Sequence, residues 1–300
     1  MNLDAIEGAV GAKCTIQPLK KQRLSTSRLL RKWKILGAEL SLSPYRVDTA
    51  DGREYKLLVA GQSNRPALQA LLITYAAVAE LDCTPRLLWH NDYAILLDFI
   101  QGEVPDLREP ACATEFGRSL AAIYRLDSDY LPASTVLRTA NKYIEDLMSV
   151  GLFTSDLADR VRENLSAQLP ERCRTSVDYA DVQPGNFRWD RSGKLLFVDI
   201  GGFQLGRLTG EGFFGHPGAS KIPEEQFTTA YKAAGGPDEI FEFRDAIIAL
   251  SSLRRGSRLA IWASGMKFLQ PRQARAFRAR AATLVDNLQA FSNATSDPIS

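Results

Sequence analysis

The sequence predicts an α+β chain of two lobes, a small strand-rich one followed by a larger helical one. Three observations lead there. Residues 13–60 read as short strands separated by turn residues. After Gly102 the apolar positions recur at helical spacing almost to the end. That helical run is interrupted once, over 175–202, by two short apolar runs with a tight turn between them. The division falls at 1–101 for the first lobe and 102–300 for the second.

In order, strands are expected at 14–20, 29–36, 45–48 and 55–60, with Asp51-Gly52 as a hairpin turn before the last. A helix rich in Ala and Leu follows at about 66–81, with a single acid, Glu80, at its far end. Two more strands fit 86–90 and 94–99, joined by Asn91-Asp92. Helices are then expected at 113–126, 140–150, 155–168, 224–234, 240–255 and 272–291. In the last of these, Phe277, Ala281, Leu284, Leu288 and Phe291 recur at 4-3-4-3 spacing beside Arg272, Arg275, Arg278 and Arg280. That pattern describes a docked amphipathic helix with a charged outer face.

Composition bounds the function. Three hundred residues with 45% apolar content support a globular core, and a net charge of +2 excludes neither acidic nor neutral small molecules. No run approaches the roughly 18 apolar residues of a transmembrane helix. The amino terminus carries Asp4 and Glu7 and lacks the basic-then-apolar order of a secretory signal. Cys14, Cys83, Cys112 and Cys173 are scattered without metal-ligand spacing and read as reduced, mostly buried thiols of a cytoplasmic protein. From Lys20 to Lys34 there are seven basic residues and no acid. These read as the solvent face of two strands and a phosphate-attracting loop, rather than as a nucleic-acid surface.

The most informative stretch is 179–201, Y-A-D-V-Q-P-G-N-F-R-W-D-R-S-G-K-L-L-F-V-D-I-G. Asp181 is followed by Asn186, and Asn186 by Asp199. An Asp and an Asn at this spacing occur by chance in many loops, and Pro184-Gly185 is an ordinary turn signal. The second half discriminates, because Asp190, Ser192 and Gly193 turn the chain between 187–189 and 195–198 and return Asp199 to the loop. That arrangement suits phosphoryl transfer. One Asp accepts the proton of an attacking hydroxyl, while the Asn and second Asp hold the magnesium that bridges the phosphates.

At these residues the chain resembles the aminoglycoside phosphotransferase and choline kinase branch of the protein-kinase-like superfamily. Residues 179–187 look like that family's His-Gly-Asp-Leu-His-Pro-Gly-Asn-Phe. Residues 116–124, F-G-R-S-L-A-A-I-Y, are similar to its Leu-Gly-x-x-Leu-Ala-x-Leu-His helix, and 96–102, L-L-D-F-I-Q-G, to the hinge between lobes. The resemblance implies a bilobal protein-kinase-like fold. It also implies a kinase-like enzyme that moves the γ-phosphate of ATP, with Mg2+, to a hydroxyl of a small molecule of aminoglycoside, sugar or amino-alcohol type. By the same resemblance Asp181 is catalytic, and Asn186 and Asp199 are metal ligands. Lys56 would hold the phosphates and Asp98 and Ile100 the nucleotide at the hinge, while Ser25, Thr26 and Ser27 either cap a phosphate in the covering loop or belong to an ordinary polar hairpin loop.

Several departures stand out. Tyr179 and Tyr124 occupy places where the family usually has histidine. Lys56 lies two residues before the expected position, which Leu58 fills, although alternation puts both on one face. Either Glu80 pairs with Lys56 or the usual ion pair is missing, and the covering loop has no glycine. These departures keep two alternatives open: a pseudokinase that binds nucleotide or a partner without turnover, or a kinase acting on protein or a lipid-linked sugar. His216, in the glycine-rich segment 210–218, reads either as an acceptor contact or as part of a connector. His90 reads as a strand end.

Overall fold

A computed structural model describes residues 3–19, 42–61, 64–126, 128–266 and 271–294. The predicted strand over 29–36, the basic run from Lys20 to Lys34, and Ser25, Thr26 and Ser27 lie outside the described residues. A helix α1 (Leu3–Val10) precedes β1 (Cys14–Pro18), β2 (Ser43–Thr49) and β3 (Glu54–Val59). Then come α2 (Arg65–Ala76), β4 (Leu87–His90) and β5 (Ala94–Asp98). Among the described residues these strands pair antiparallel in the order β1-β2-β3-β5-β4.

Alternation along β3 decides what each face of this sheet buries. Tyr55 and Leu57 pack with Val47, Leu96 and the Ile6 and Val10 of α1 on one face. Leu58 points the other way and joins Ile95, Leu97 and the Leu68, Leu71 and Tyr75 of α2. This second core does not stop at the sheet. It runs on through Phe116 and Leu120 of α3 (Pro110–Arg125) to Phe187 and Phe197, so the strand-rich part is packed directly onto the hairpin that carries Asp199.

The rest of the chain comprises β6 (Asp129–Pro132), α4 (Ala133–Ser149), α5 (Ser155–Gln168), β7 (Arg172–Tyr179), β8 (Phe187–Trp189), β9 (Leu195–Phe197) and β10 (Phe203–Leu208). These precede α6 (Glu211–Phe214), α7 (Glu224–Ala233), α8 (Glu239–Glu242), α9 (Arg244–Met266) and α10 (Pro271–Ala294). A separate core joins α4, α5, α9 and α10 through Ile144, Leu147, Val161, Leu253, Val285 and Leu288. No helix among the described residues is long and apolar enough to cross a membrane. All four cysteines are unpaired, and three of them are buried.

Several elements differ from the sequence expectation. Helix α1 was unforeseen; it is two turns long and is held by burial of Ile6 and Val10 against the sheet rather than by propensity. Helix α2 ends at Ala76, and turns occupy 77–80. The helix expected over 240–255 is broken at Phe243, and its second part runs on to Met266. Strands β6 and β10 flank β7 on its two edges, where the expectation had only hairpins. The first is four residues long, and the second breaks register between Gln204 and Arg207, around a Gly206 at φ 69°. Neither offers an uninterrupted alternating pattern to read.

Candidate active site

Strand β7 delivers the chain at Tyr179 to an open loop, and every later turn of that loop is fixed by a named bond. The Asn186 side chain donates from Nδ2 to the backbone carbonyl of Asp181 at 2.9 Å, which spans the loop. The hairpin β8–β9 closes because Asp190 Oδ1 accepts from the Ser192 N–H, the Ser192 hydroxyl and the Lys194 N–H at 2.8, 2.7 and 2.9 Å. It returns the chain so that the Val198 N–H donates to the Asn186 carbonyl at 2.9 Å. Asp199 follows at the start of a 3₁₀ turn, with Oδ1 accepting from the Gly201 N–H at 3.1 Å. Asn186 and Asp199 are therefore tied to each other through one backbone bond.

Two phenols support this loop where the resembling family places imidazoles. Tyr179 is fully buried, with its ring centroid 4.8 Å from that of Phe197 and 4.9 Å from that of Phe203, and its hydroxyl donates to the Asp199 carbonyl at 3.3 Å. The ring lies so close to Gly202 that a Cβ there would overlap it. Tyr124, on α3, donates to Asp178 Oδ1 at 2.7 Å. Asp178 is fully buried and also accepts from the Tyr179 N–H at 2.8 Å and from the Gly212 N–H. Burial pushes both phenols well above their ordinary values and raises the Asp178 carboxyl as well. Asp178 had escaped the sequence reading, because its neighbours in space come from α3 and α6, 54 and 34 residues away.

Asp181 presents a carboxylate that is 38% exposed, open enough for a substrate to reach. Its pKa is raised, chiefly by burial and further by the charge of Asp199, against the hydrogen bonds of Asn186 and of Gln183, whose Nε2 lies 2.7 Å from Oδ1. Facing it is His216 Nε2, 3.6 Å from Asp181 Oδ1. His216 Nδ1 accepts from the Gly218 N–H at 3.0 Å, so the ring proton sits on Nε2. Burial, with the charges of Arg255 and Lys221, pushes this imidazole down to about 4, and at neutral pH the pair is a neutral donor beside a carboxylate rather than an ion pair. The loop is held against the catalytic segment at Gly218, where a Cβ would overlap the Val182 carbonyl oxygen.

Lys56 enters from the opposite side. It shares the inner face of β3 with Leu58, but Leu58 is consumed by the core while the Lys56 ammonium donates to the Val198 carbonyl at 3.0 Å, next to Asp199. Burial lowers its pKa; the Asp199 charge opposes that, and the Arg188 charge adds to it. Glu80 is exposed beyond the end of α2, and among the described residues no carboxylate forms an ion pair with Lys56. At the hinge the pairing of Tyr55 with Asp98 puts the Asp98 side chain on the face away from Lys56, where it meets Arg86 Nε at 3.3 Å. Ile100 is half-buried just beyond it.

The donor set suits magnesium. Asn186 Oδ1 and the Asp199 carboxylate could serve as oxygen ligands on adjacent backbone, few in number, as would befit an ion that keeps waters and takes its remaining ligands from phosphate. A buried cation next to Asp199 and a partly exposed carboxylate within range of its charge complete a set able to hold a polyphosphate and accept a proton.

No curated protein matches the sequence. Solved structures do match the fold. The macrolide 2'-phosphotransferase MphH from Brachybacterium faecium superposes with a TM-score of 0.60 at 13% identity, over 95% of this chain and 97% of that one. A choline kinase from Cryptosporidium parvum Iowa II gives 0.59 at 8% identity, over 94% and 91%. The ternary complex of streptomycin, ATP and APH(2")-IIa gives 0.53 at 14% identity, over 85% and 99%. These chains have the bilobal α+β architecture of the protein-kinase-like fold, and so does this one. The model of the phosphotransferase enzyme family matches residues 32–208, from before β2 to the end of β10, and on that match the chain belongs to this family of enzymes that transfer phosphate to hydroxyl groups.

Proposed function

We propose that the protein transfers the γ-phosphate of ATP to a hydroxyl of a small molecule in a magnesium-dependent reaction, with the nucleotide held between a lobe of residues 1–101 and one of 102–300. The observation that carries this reading is the convergence of four groups from distant parts of the chain. Asp181 and Asn186 share one loop, Asp199 is bonded to that loop through Val198, and Lys56 reaches the same Val198 from the sheet. Lys56 supplies a cation for the α- and β-phosphates, and Asp98 to Ile100 provide the hinge for the base. Asn186 and Asp199 would hold magnesium, which when bound neutralises phosphate charge. Asp181 orients the acceptor hydroxyl and takes its proton as oxygen bonds to the γ-phosphorus and the bond to the β-phosphate oxygen breaks. Its raised pKa suits a group that must hold that proton after transfer. Positioning and charge neutralisation dominate, since phosphoryl transfer asks little covalent help of the protein.

Thermal unfolding with ATP, with and without magnesium, tests the donor site. Ligand at 100 times its Kd stabilises by about 2.7 kcal/mol. The expected result is a magnesium-dependent stabilisation that is lost in Asp199→Asn, and ATP consumption that falls by orders of magnitude in Asp181→Ala without loss of fold. Stabilisation indifferent to magnesium, or near-full turnover in Asp181→Ala, would refute the mechanism.

A further inference from the structure

Beside the His216 loop lies a pocket of about 490 Å³, within the roughly 300–1,000 Å³ of small-molecule sites. Pro217 forms its lip, and the other walls are α9 and α10. Helix α9 contributes Arg255, Arg258, Leu259 and Trp262, whose spacing places all four on one stripe. Helix α10 answers with Arg280 and Leu284. We propose that this pocket binds an anion and that the acceptor is accordingly a hydroxylated small molecule bearing a phosphate or carboxylate, not a cationic amine. The inference deepens the phosphotransfer reading and, as to reaction, rests on it.

Among the described residues that line the cavity are three guanidiniums and no carboxylate. Among the described residues neither Arg255 nor Arg280 pairs with a carboxylate; Arg255 spends one N–H on the Gly215 carbonyl. The buried acid Glu211 is taken by Arg254, with Nε 2.8 Å from Oε1. Guanidinium forks match the oxygens of phosphate and carboxylate. Trp262, with the Arg258 guanidinium carbon 4.9 Å from its ring centroid, and the two leucines give a flat apolar wall for the body of the ligand. The pocket adjoins the loop that faces Asp181. Arg255 grips Gly215, His216 follows it and faces Asp181 Oδ1 at 3.6 Å, and Pro217 comes next. A cationic acceptor would meet like charge here, whereas an anionic one is drawn toward Asp181 by its far end, leaving its hydroxyl free to face the carboxylate.

Phenyl phosphate, benzyl alcohol and benzylamine share a ring and differ in charge. Calorimetric titration of each into the full chain, with magnesium ADP present to fill the donor site, tests the pocket. Phenyl phosphate is expected to bind at least about tenfold more tightly than the other two, more weakly in high salt, and about tenfold more weakly in Arg258→Ala and Arg280→Ala. Both arginines are exposed, so these variants fold, and their affinity for magnesium ATP is expected to be unchanged. Equal binding of benzylamine, or unchanged phenyl phosphate affinity in both variants, would overturn the proposal. A turnover panel of sugar phosphates and sugar acids against streptomycin and choline separates the two anionic chemistries, and turnover confined to the cations would overturn it as well. Charge-selective binding in a chain that fails to bind magnesium ATP would sink the phosphotransfer reading and leave the anion pocket standing. Magnesium ATP binding with no charge preference would do the reverse.

Discussion

Removing the Asp178 carboxylate should be among the most damaging single changes outside the reacting groups. Three buried donors converge on it: the Tyr124 hydroxyl at 2.7 Å, the Tyr179 N–H at 2.8 Å and the Gly212 N–H. Asp178→Ala leaves all three without an acceptor, and a buried unsatisfied donor costs about 1–3 kcal/mol. Against that stands relief from burying the carboxylate, whose raised pKa records how burial disfavours its charged form. The net expected loss is about 3–5 kcal/mol, a large share of the roughly 5–15 kcal/mol that holds a domain together. Asp178→Asn keeps an acceptor oxygen on the Tyr124 and Tyr179 side but turns an NH2 group toward the Gly212 N–H. It should cost about 1–3 kcal/mol. Urea unfolding at constant m-value measures both. In a Tyr124→Phe background one donor is already gone, so Asp178→Ala should cost about 1–2 kcal/mol less there. An Asp178→Ala loss below about 0.5 kcal/mol, or strict additivity with Tyr124→Phe, would show that this carboxylate does not hold α3, the catalytic loop and α6 together.

Two further changes test the His216 loop. The His216 imidazole has a folded pKa of about 4 against 6.5 unfolded, so between those values the unfolded chain binds the proton and the folded chain does not. Stability therefore rises with pH across this window and is complete above 6.5. At about 1.36 kcal/mol per pH unit the total is at most about 3.4 kcal/mol, and His216→Gln should flatten the pH 4–6.5 stability profile by up to that amount relative to wild type. An unchanged profile would mean the imidazole is not desolvated as described. Gly218→Ala adds a Cβ against the Val182 carbonyl and must push the loop away from Asp181. Since displacements near 1 Å can cost on the order of 100-fold in rate, turnover should drop at least about tenfold while magnesium ATP affinity is kept, as steady-state kinetics and an ATP titration would report.

The site was legible in the sequence where its geometry is local. Asp181, Asn186 and Asp199 lie within one loop and one hairpin, and the turn at Asp190 is written in its Ser and Gly neighbours, so spacing and the hairpin signal together brought them into one place. Lys56 was legible as to face but not as to partner. Alternation put it beside Leu58, yet only the packed sheet shows that its ammonium goes to the Val198 carbonyl and that Glu80 lies elsewhere. Asp178 and the arginine pocket were not legible, because both are assembled across elements. The stripe of Arg255, Arg258 and Trp262 looks like an ordinary charged helix face until α10 is laid beside it. Arg280, read as part of the outer face of the last helix, turns out to line a cavity. Short strands such as β6 fail for a related reason, since four residues carry too little pattern and owe their pairing to β7.

The phenols beneath the catalytic loop have a consequence for how the enzyme answers to acidity. An unperturbed imidazole exchanges its proton between about pH 5 and 8. Tyr124 and Tyr179, both fully buried and both displaced upward, keep theirs throughout that interval. The supports of Asp181 and Asp199 thus hold one protonation state across the range in which turnover would be measured. A bell or shoulder in the rate profile near neutrality would then report the groups facing the substrates, or the acceptor itself, and not a loosening of the scaffold beneath them.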